Sequence, residues 1–150
     1  MADRQPHLLI IEARFHEEIA DELVRGAVAA IEQVGATYER VAVPGALELP
    51  AALAMAIESG DDDDRHYDGY VLLGCVIRGE TSHYDVVVRE SARGVMDLTV
   101  DEALALGFGV LTVDNAEQAW ARARIDGGNK GGGAASAALQ MIALRERFGL

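Results

Sequence analysis

The chain has one cysteine, Cys75, so no intrachain disulfide can form. That usage suits a reducing compartment or a plain core position. No stretch reaches the roughly 20 consecutive apolar residues that cross a bilayer. Residues 1–7 lack the basic start and apolar run of a secretory signal. The expectation is a soluble, cytoplasmic protein. Basic residues are scarce too: 13 Lys plus Arg stand against 25 Asp plus Glu, for a formal net charge of -12. A nucleic-acid binder carries a basic face, so that class is excluded. An anionic small substrate is not, because a few local cations and backbone N–H groups hold a phosphate even in an acidic protein. Glycine signatures are incomplete. Gly107-Phe108-Gly109 is not followed by the rest of a dinucleotide fingerprint, and the run at 127–133 lacks the Gly-Lys-Ser/Thr ending of a P-loop. There is no internal repeat. The four aspartates at 61–64 read as a solvated loop and give no reason to expect a metal site.

What is present is a regular alternation. The length of 150 residues suggests one domain spanning 1–150, large enough to bury roughly 70% of its unfolded surface without staples. Residues 8–13 form a short continuous apolar run, the mark of a buried strand. Residues 17–34 place Ile19, Leu23, Ala27, Ala30, Ile31 and Val34 at helical spacing, with Gly35 to stop the helix. Strands are predicted at 37–43, 68–76 and 108–113. Helices are predicted at 49–57, 82–98, 115–124 and 134–148. Strands alternating with helices imply a parallel sheet covered on both faces. The fold class is therefore α/β, a flavodoxin-like three-layer domain with a central four-stranded parallel sheet.

Ligands in open parallel sheets bind beyond the carboxyl ends of the strands. That rule selects four segments: Arg14-Phe15-His16, Pro44 to Glu48, Arg78 to His83, and Asp114-Asn115. The third carries the most chemistry. Gly79 lets the backbone approach a ligand closely. Thr81 and Ser82 offer hydroxyl and N–H groups at a helix N-terminus, a favoured place for phosphate. Ser82 and Asp85 also have the spacing of a capping box, so capping alone would explain part of the segment. His83, in the first helical turn, can exchange protons near neutral pH. Taken singly, these residues have plainer readings. Phe15 reads as core packing, Glu48 as a charge complementing a helix dipole, and Arg122 and Lys130 as solvated side chains.

Together the segments resemble one family. Val76-Ile77-Arg78-Gly79-Glu80-Thr81 followed by Ser82-His83-Tyr84-Asp85 is similar to the signature of the lumazine synthases. Pro44-Gly45-Ala46-Leu47-Glu48-Leu49-Pro50 resembles their second motif, and Ala13-Arg14-Phe15-His16 their first. Phe108-Gly109-Val110-Leu111-Thr112, with Glu117-Gln118-Ala119 and Arg122-Ala123, resembles the fourth, and Gly128-Asn129-Lys130-Gly131 the fifth. Each motif is short; the ordered set spans nearly the whole chain. The resemblance implies condensation of 5-amino-6-(D-ribitylamino)uracil with 3,4-dihydroxy-2-butanone 4-phosphate to 6,7-dimethyl-8-ribityllumazine, releasing phosphate and water, with no metal or organic cofactor. It implies that Phe15 stacks on the pyrimidine and that Ala46, Leu47 and Glu48 bind the ribityl chain and ring edge. Cys75, Val76, Phe108 and Lys130 complete the pyrimidine site. Gly79, Glu80, Thr81 and Arg122 hold the phosphate, and His83 moves protons. The substrates bring their own amine and ketone, so orientation, proton transfer and stabilisation of leaving phosphate are what remains.

Geometry adds an expectation about assembly. Phe108 opens its predicted strand and so belongs at the amino edge of the sheet. Arg122 lies roughly 10 Å along a helix running back toward that edge, whereas Glu48 and His83 belong at the carboxyl edge. A neighbouring chain is expected to supply Phe108, Arg122 and Lys130, making an obligate homo-oligomer. The resemblance independently implies pentamers, in some members sixty-chain shells, and riboflavin synthase as a further partner. Two positions depart from the family pattern. Gly133 stands where many relatives have an acidic residue able to pair with the histidine, and His16 stands for the usual Asn. The first departure keeps one rival open, a non-catalytic flavin- or lumazine-binding or shell-forming relative. An unrelated mononucleotide binder of flavodoxin type is a second.

Overall fold

Leu8, Leu9, Ile10 and Ile11 carry no polar side-chain atoms, and all four are buried in the central strand of a parallel sheet. In the computed structural model, which describes residues 4–60 and 66–150, the elements are β1 (His7–Ala13), α1 (Glu17–Gln33), β2 (Thr37–Val43), α2 (Leu49–Ser59), β3 (Gly69–Ile77), α3 (His83–Asp101), β4 (Leu106–Val113), α4 (Ala116–Ala123) and α5 (Lys130–Arg147). A single 3-10 turn, Ala46–Glu48, leads into α2. The aspartate run at 61–64 lies outside the described residues.

The strand order is β2-β1-β3-β4, all parallel. Leu8 and Ile10 of β1, with Val71 and Leu73 of β3, face a layer containing Leu23 and Ile31 of α1, Ala119 of α4 and Ala135 and Ile142 of α5. The alternate residues Leu9, Ile11 and Leu72 face Leu49 and Leu53 of α2 and Val95 of α3. Burial on both faces is why the inner strands read as continuous apolar runs rather than as alternating ones. This is the three-layer α/β architecture that the sequence pattern implies.

The starts of two elements, β4 and α5, differ from expectation by more than one residue, and glycine explains both. β4 begins at Leu106, two residues before the predicted start. Gly107 does not break the strand; it lies inside it, because a methyl group there would run into the carbonyl oxygen of Ala134 on α5. Likewise α5 begins at Lys130, four residues earlier than predicted, and takes in Gly131, Gly132 and Gly133. Glycine costs about 1 kcal/mol in a helix interior relative to alanine. Here it permits backbone-to-backbone packing: a side chain at Gly131 would collide with the Leu23 carbonyl of α1. Asn129 starts the helix from a left-handed conformation (φ 46°, ψ 50°), and its side chain accepts from the Gly132 N–H at 3.2 Å. Asn tolerates that conformation better than most residues.

Candidate functional site

Three of the four turns selected by the topology converge on one cleft of about 460 Å³ at the carboxyl end of the sheet. The β1–α1 turn brings Phe15 and His16. The turn after β2 brings Ala46, Leu47 and Glu48. The end of β3 supplies Cys75 and Val76, and the turn into α3 supplies Gly79, Thr81, His83 and Tyr84. Phe15 is not a core residue: it is 76% exposed, and its ring meets the edge of His16 at 5.0 Å between centroids. Burial lowers the His16 pKa from its ordinary value, which favours the neutral imidazole. Burial also pushes the Cys75 thiol up to about 11, so it is protonated and chemically quiet at neutral pH. Glu48 is exposed and makes no capping hydrogen bond, so its carboxylate is not committed to α2.

The turn into α3 differs in detail from a capping box. Ser82 occupies the N-cap position, but its side chain makes no capping bond. Instead the His83 N–H donates to Thr81 Oγ1 at 3.3 Å. Asp85 is drawn toward Arg78 (3.9 Å). Arg78 Nε also donates to Asp114 Oδ1 at 3.0 Å, and the guanidinium lies 4.2 Å from the centroid of the Tyr84 ring. A side chain at Gly79 would meet no atom of this chain within 4 Å. The glycine therefore leaves open space above the backbone rather than relieving an internal clash. Glu80 is exposed on the same turn but does not line the cleft. The fourth turn is spent locally: Asn115 accepts from the Gln118 N–H at 2.9 Å, and Gln118 Oε1 accepts from the Asp114 N–H at 2.7 Å.

The remaining candidates line a different cleft, also about 460 Å³, along β4. Phe108, Val110 and Thr112 form one wall; Arg122 of α4 and Lys130 and Gly133 of α5 form another. Phe108 pairs with Leu72 of β3 and stands five residues before the strand ends at Val113. At about 3.3 Å per residue that is roughly 16 Å short of the carboxyl edge. One chain therefore brings Phe15, Glu48, Thr81 and His83 together, and separately Phe108, Arg122 and Lys130. Arg122 donates to the Gln118 carbonyl of its own helix at 3.0 Å. Gly133 faces open space, with no atom near a would-be side chain.

One buried charge near the carboxyl end of β1 is not among the sequence-predicted site residues. Glu12, in the apolar run of β1, is 3% exposed. Arg40 grips it from β2 through Nε (2.8 Å) and NH2 (2.9 Å), and Arg14 NH1 donates to it at 2.7 Å. Burial alone would raise the Glu12 pKa; hydrogen bonds from Arg40 and Arg14 outweigh it and hold the carboxyl below its ordinary value. The available signal was a charge in an otherwise apolar strand, which requires partners. Those partners are not inferable from spacing, since Arg40 is 28 residues away. Tyr84 and His16 were also visible only as motif members, and the structure adds both to the cleft wall.

Comparison with known proteins agrees with the motifs. A family model described as 6,7-dimethyl-8-ribityllumazine synthase matches residues 5–146. The chain is 59% identical to 6,7-dimethyl-8-ribityllumazine synthase 1 of Rhizobium meliloti (strain 1021), covering 99% of this chain and 98% of that protein. It is 57% identical to the 6,7-dimethyl-8-ribityllumazine synthase of Agrobacterium fabrum (strain C58 / ATCC 33970), over 97% and 98% of the two chains. A Bartonella tribocorum protein of the same description is also 57% identical, over 97% and 94%. Among the described residues no helix is long and apolar enough to cross a membrane.

Proposed function

This chain belongs to the 6,7-dimethyl-8-ribityllumazine synthase family and carries out that family's condensation in riboflavin biosynthesis, and on that premise we propose how its residues divide the work. Phe15 is the platform for the pyrimidine ring, with Cys75 and Val76 as the apolar wall behind it. Ala46, Leu47 and Glu48 take the ring edge and ribityl hydroxyls. The phosphate of the ketone substrate sits over Gly79, Glu80 and Thr81, against the N-terminus of α3, where free N–H groups and the helix dipole favour an anion. His83, beside that anion, moves protons as the substrate amine adds to the ketone and phosphate departs. Holding both substrates in one orientation supplies much of the acceleration, because the reacting amine and carbonyl are already present in the substrates.

The observation that carries this reading is the division of the motif residues between two clefts. The first has a platform, a carboxylate and a histidine but no free cation for a leaving phosphate. The second has Phe108, Arg122 and Lys130 and no platform. A neighbouring copy that sets its second cleft against the first completes one site. We infer a homo-oligomer, pentameric or a shell of pentamers, acting in the cytoplasm, with riboflavin synthase as a further partner. The test is direct. Purified protein is mixed with both substrates, and the fluorescence of the lumazine is followed against the uncatalysed background. Acceleration that persists at protein concentrations where only monomer remains would refute the shared site. Tight binding of the pyrimidine without acceleration would instead favour the non-catalytic reading, for which Gly133 is the one specific support.

A further inference from the structure

Among the described residues Glu12 is the one charged side chain that is buried, and both of its oxygens are occupied. The two guanidiniums that hold it come from different places. Arg40 belongs to β2, whereas Arg14 is the residue immediately before Phe15. Arg14 reaches further: its NH2 donates to Glu17 Oε2 at 3.0 Å and pairs with Asp21, so it ties β1 to the first turns of α1. Its backbone N–H donates to the Val43 carbonyl at 3.0 Å, at the end of β2. The chain leaves β1 into Phe15 and leaves β2 into the turn that carries Ala46 and Glu48. Both exits line the first cleft.

Buried ion pairs rarely add net stability over apolar packing of similar volume, and their best-attested use is to fix an arrangement. The arrangement fixed here is local. Phe15 is mostly exposed, so the core does not hold its ring. Its position has to come from its backbone, and the clamped neighbour is Arg14. We propose that Glu12 is a positioning residue, which through Arg14 holds Phe15 where a planar ring stacks on it and through Arg40 keeps the adjoining turn in register. This rests on the stacking role given above to Phe15.

The test uses the assembled protein and 5-amino-6-(D-ribitylamino)uracil as the probe. Glu12→Gln keeps the shape and one acceptor but loses the charge. It raises the dissociation constant for the pyrimidine about tenfold, leaves the KM for the phosphorylated ketone within about twofold and leaves kcat at saturation nearly unchanged. Glu12→Asp, which keeps the charge, recovers part of the affinity. The effect passes through Phe15, so Glu12→Gln combined with Phe15→Ala binds no more weakly than Phe15→Ala alone. Wild-type affinity in Glu12→Gln overturns the proposal. So does a loss that adds fully to that of Phe15→Ala, or a fall in kcat that tracks loss of folded protein with KM unmoved. If Glu12→Gln does not fold, the exposed anchors serve instead. Glu17→Gln with Asp21→Asn loosens Arg14 without uncovering a buried charge and costs about threefold in pyrimidine affinity; no change there overturns the proposal equally. If Phe15→Ala itself binds as tightly as wild type, the stacking role fails, and this proposal with it.

Discussion

The two clefts are of similar size and differ in kind. The first is built where three turns meet beyond the strand ends, and its apolar floor is continuous with the core through Cys75 and Val76. The second is a shallow face along the edge strand β4, bordered by two cations on α4 and α5. A site at the carboxyl end is what an isolated parallel domain offers. A cationic face on an edge strand has no such generic reason, and in a chain of net charge -12 it implies something to be met. Motif residues carried by one chain therefore need not form one site within that chain.

Substitutions in each cleft test this contrast. His83→Ala belongs to the first cleft and should lower kcat by about 10²-fold, the lower range for a lost general acid or base, with the oligomer unchanged by light scattering. Unchanged turnover would remove His83 from proton transfer. Arg122→Ala belongs to the second and should raise the KM for the phosphorylated ketone about tenfold, or roughly 1.4 kcal/mol, leaving pyrimidine binding as it was. If pyrimidine binding alone weakens, the phosphate assignment is wrong. Coexpressing these two impaired variants, assayed at a ketone concentration well below the KM, separates shared from private sites. In randomly mixed assemblies about a quarter of the shared sites would regain both intact halves, so roughly a quarter of the activity should return; sites private to each chain would regain none. The smallest effects contrast two neighbouring glycines. Gly131→Ala should destabilise by about 1–3 kcal/mol through overpacking against Leu23, whereas Gly133→Ala should stabilise by up to about 1 kcal/mol. Thermal melts of the two variants would show opposite shifts.

Most of the fold was legible because apolar runs on a doubly covered sheet leave little ambiguity. β2 was read with the bounds it has, and β1 and α1 within a residue. The starts of β4 and α5 were not legible, for a common reason. Gly107 and Gly131 signal a break locally, yet they exist to let α5 approach the sheet and α1, and that approach is a tertiary fact. The convergence of Phe15, Glu48, Thr81 and His83 followed from topology alone, since all sit beyond strand ends. The capping-box spacing of Ser82 and Asp85 misled: Ser82 is the N-cap residue but its side chain makes no capping bond, and the Asp85 carboxylate lies 3.9 Å from Arg78. The charge of Glu12 in an apolar strand calls for a partner, but the choice of Arg40 was not legible, because it is a pairing across the sheet between residues 28 apart in sequence.

Cys75 has a practical consequence. Its sulfur is the sole thiol of the chain, and it is both shielded by the core and held protonated. Maleimides and spin labels should therefore pass it by under mild conditions. A cysteine introduced on the rim of either cleft would become a unique chemical handle, without the need to engineer a thiol-free background first. Paired labels, one on each rim, would then act as a ruler between copies and report how far apart the two halves stand in solution.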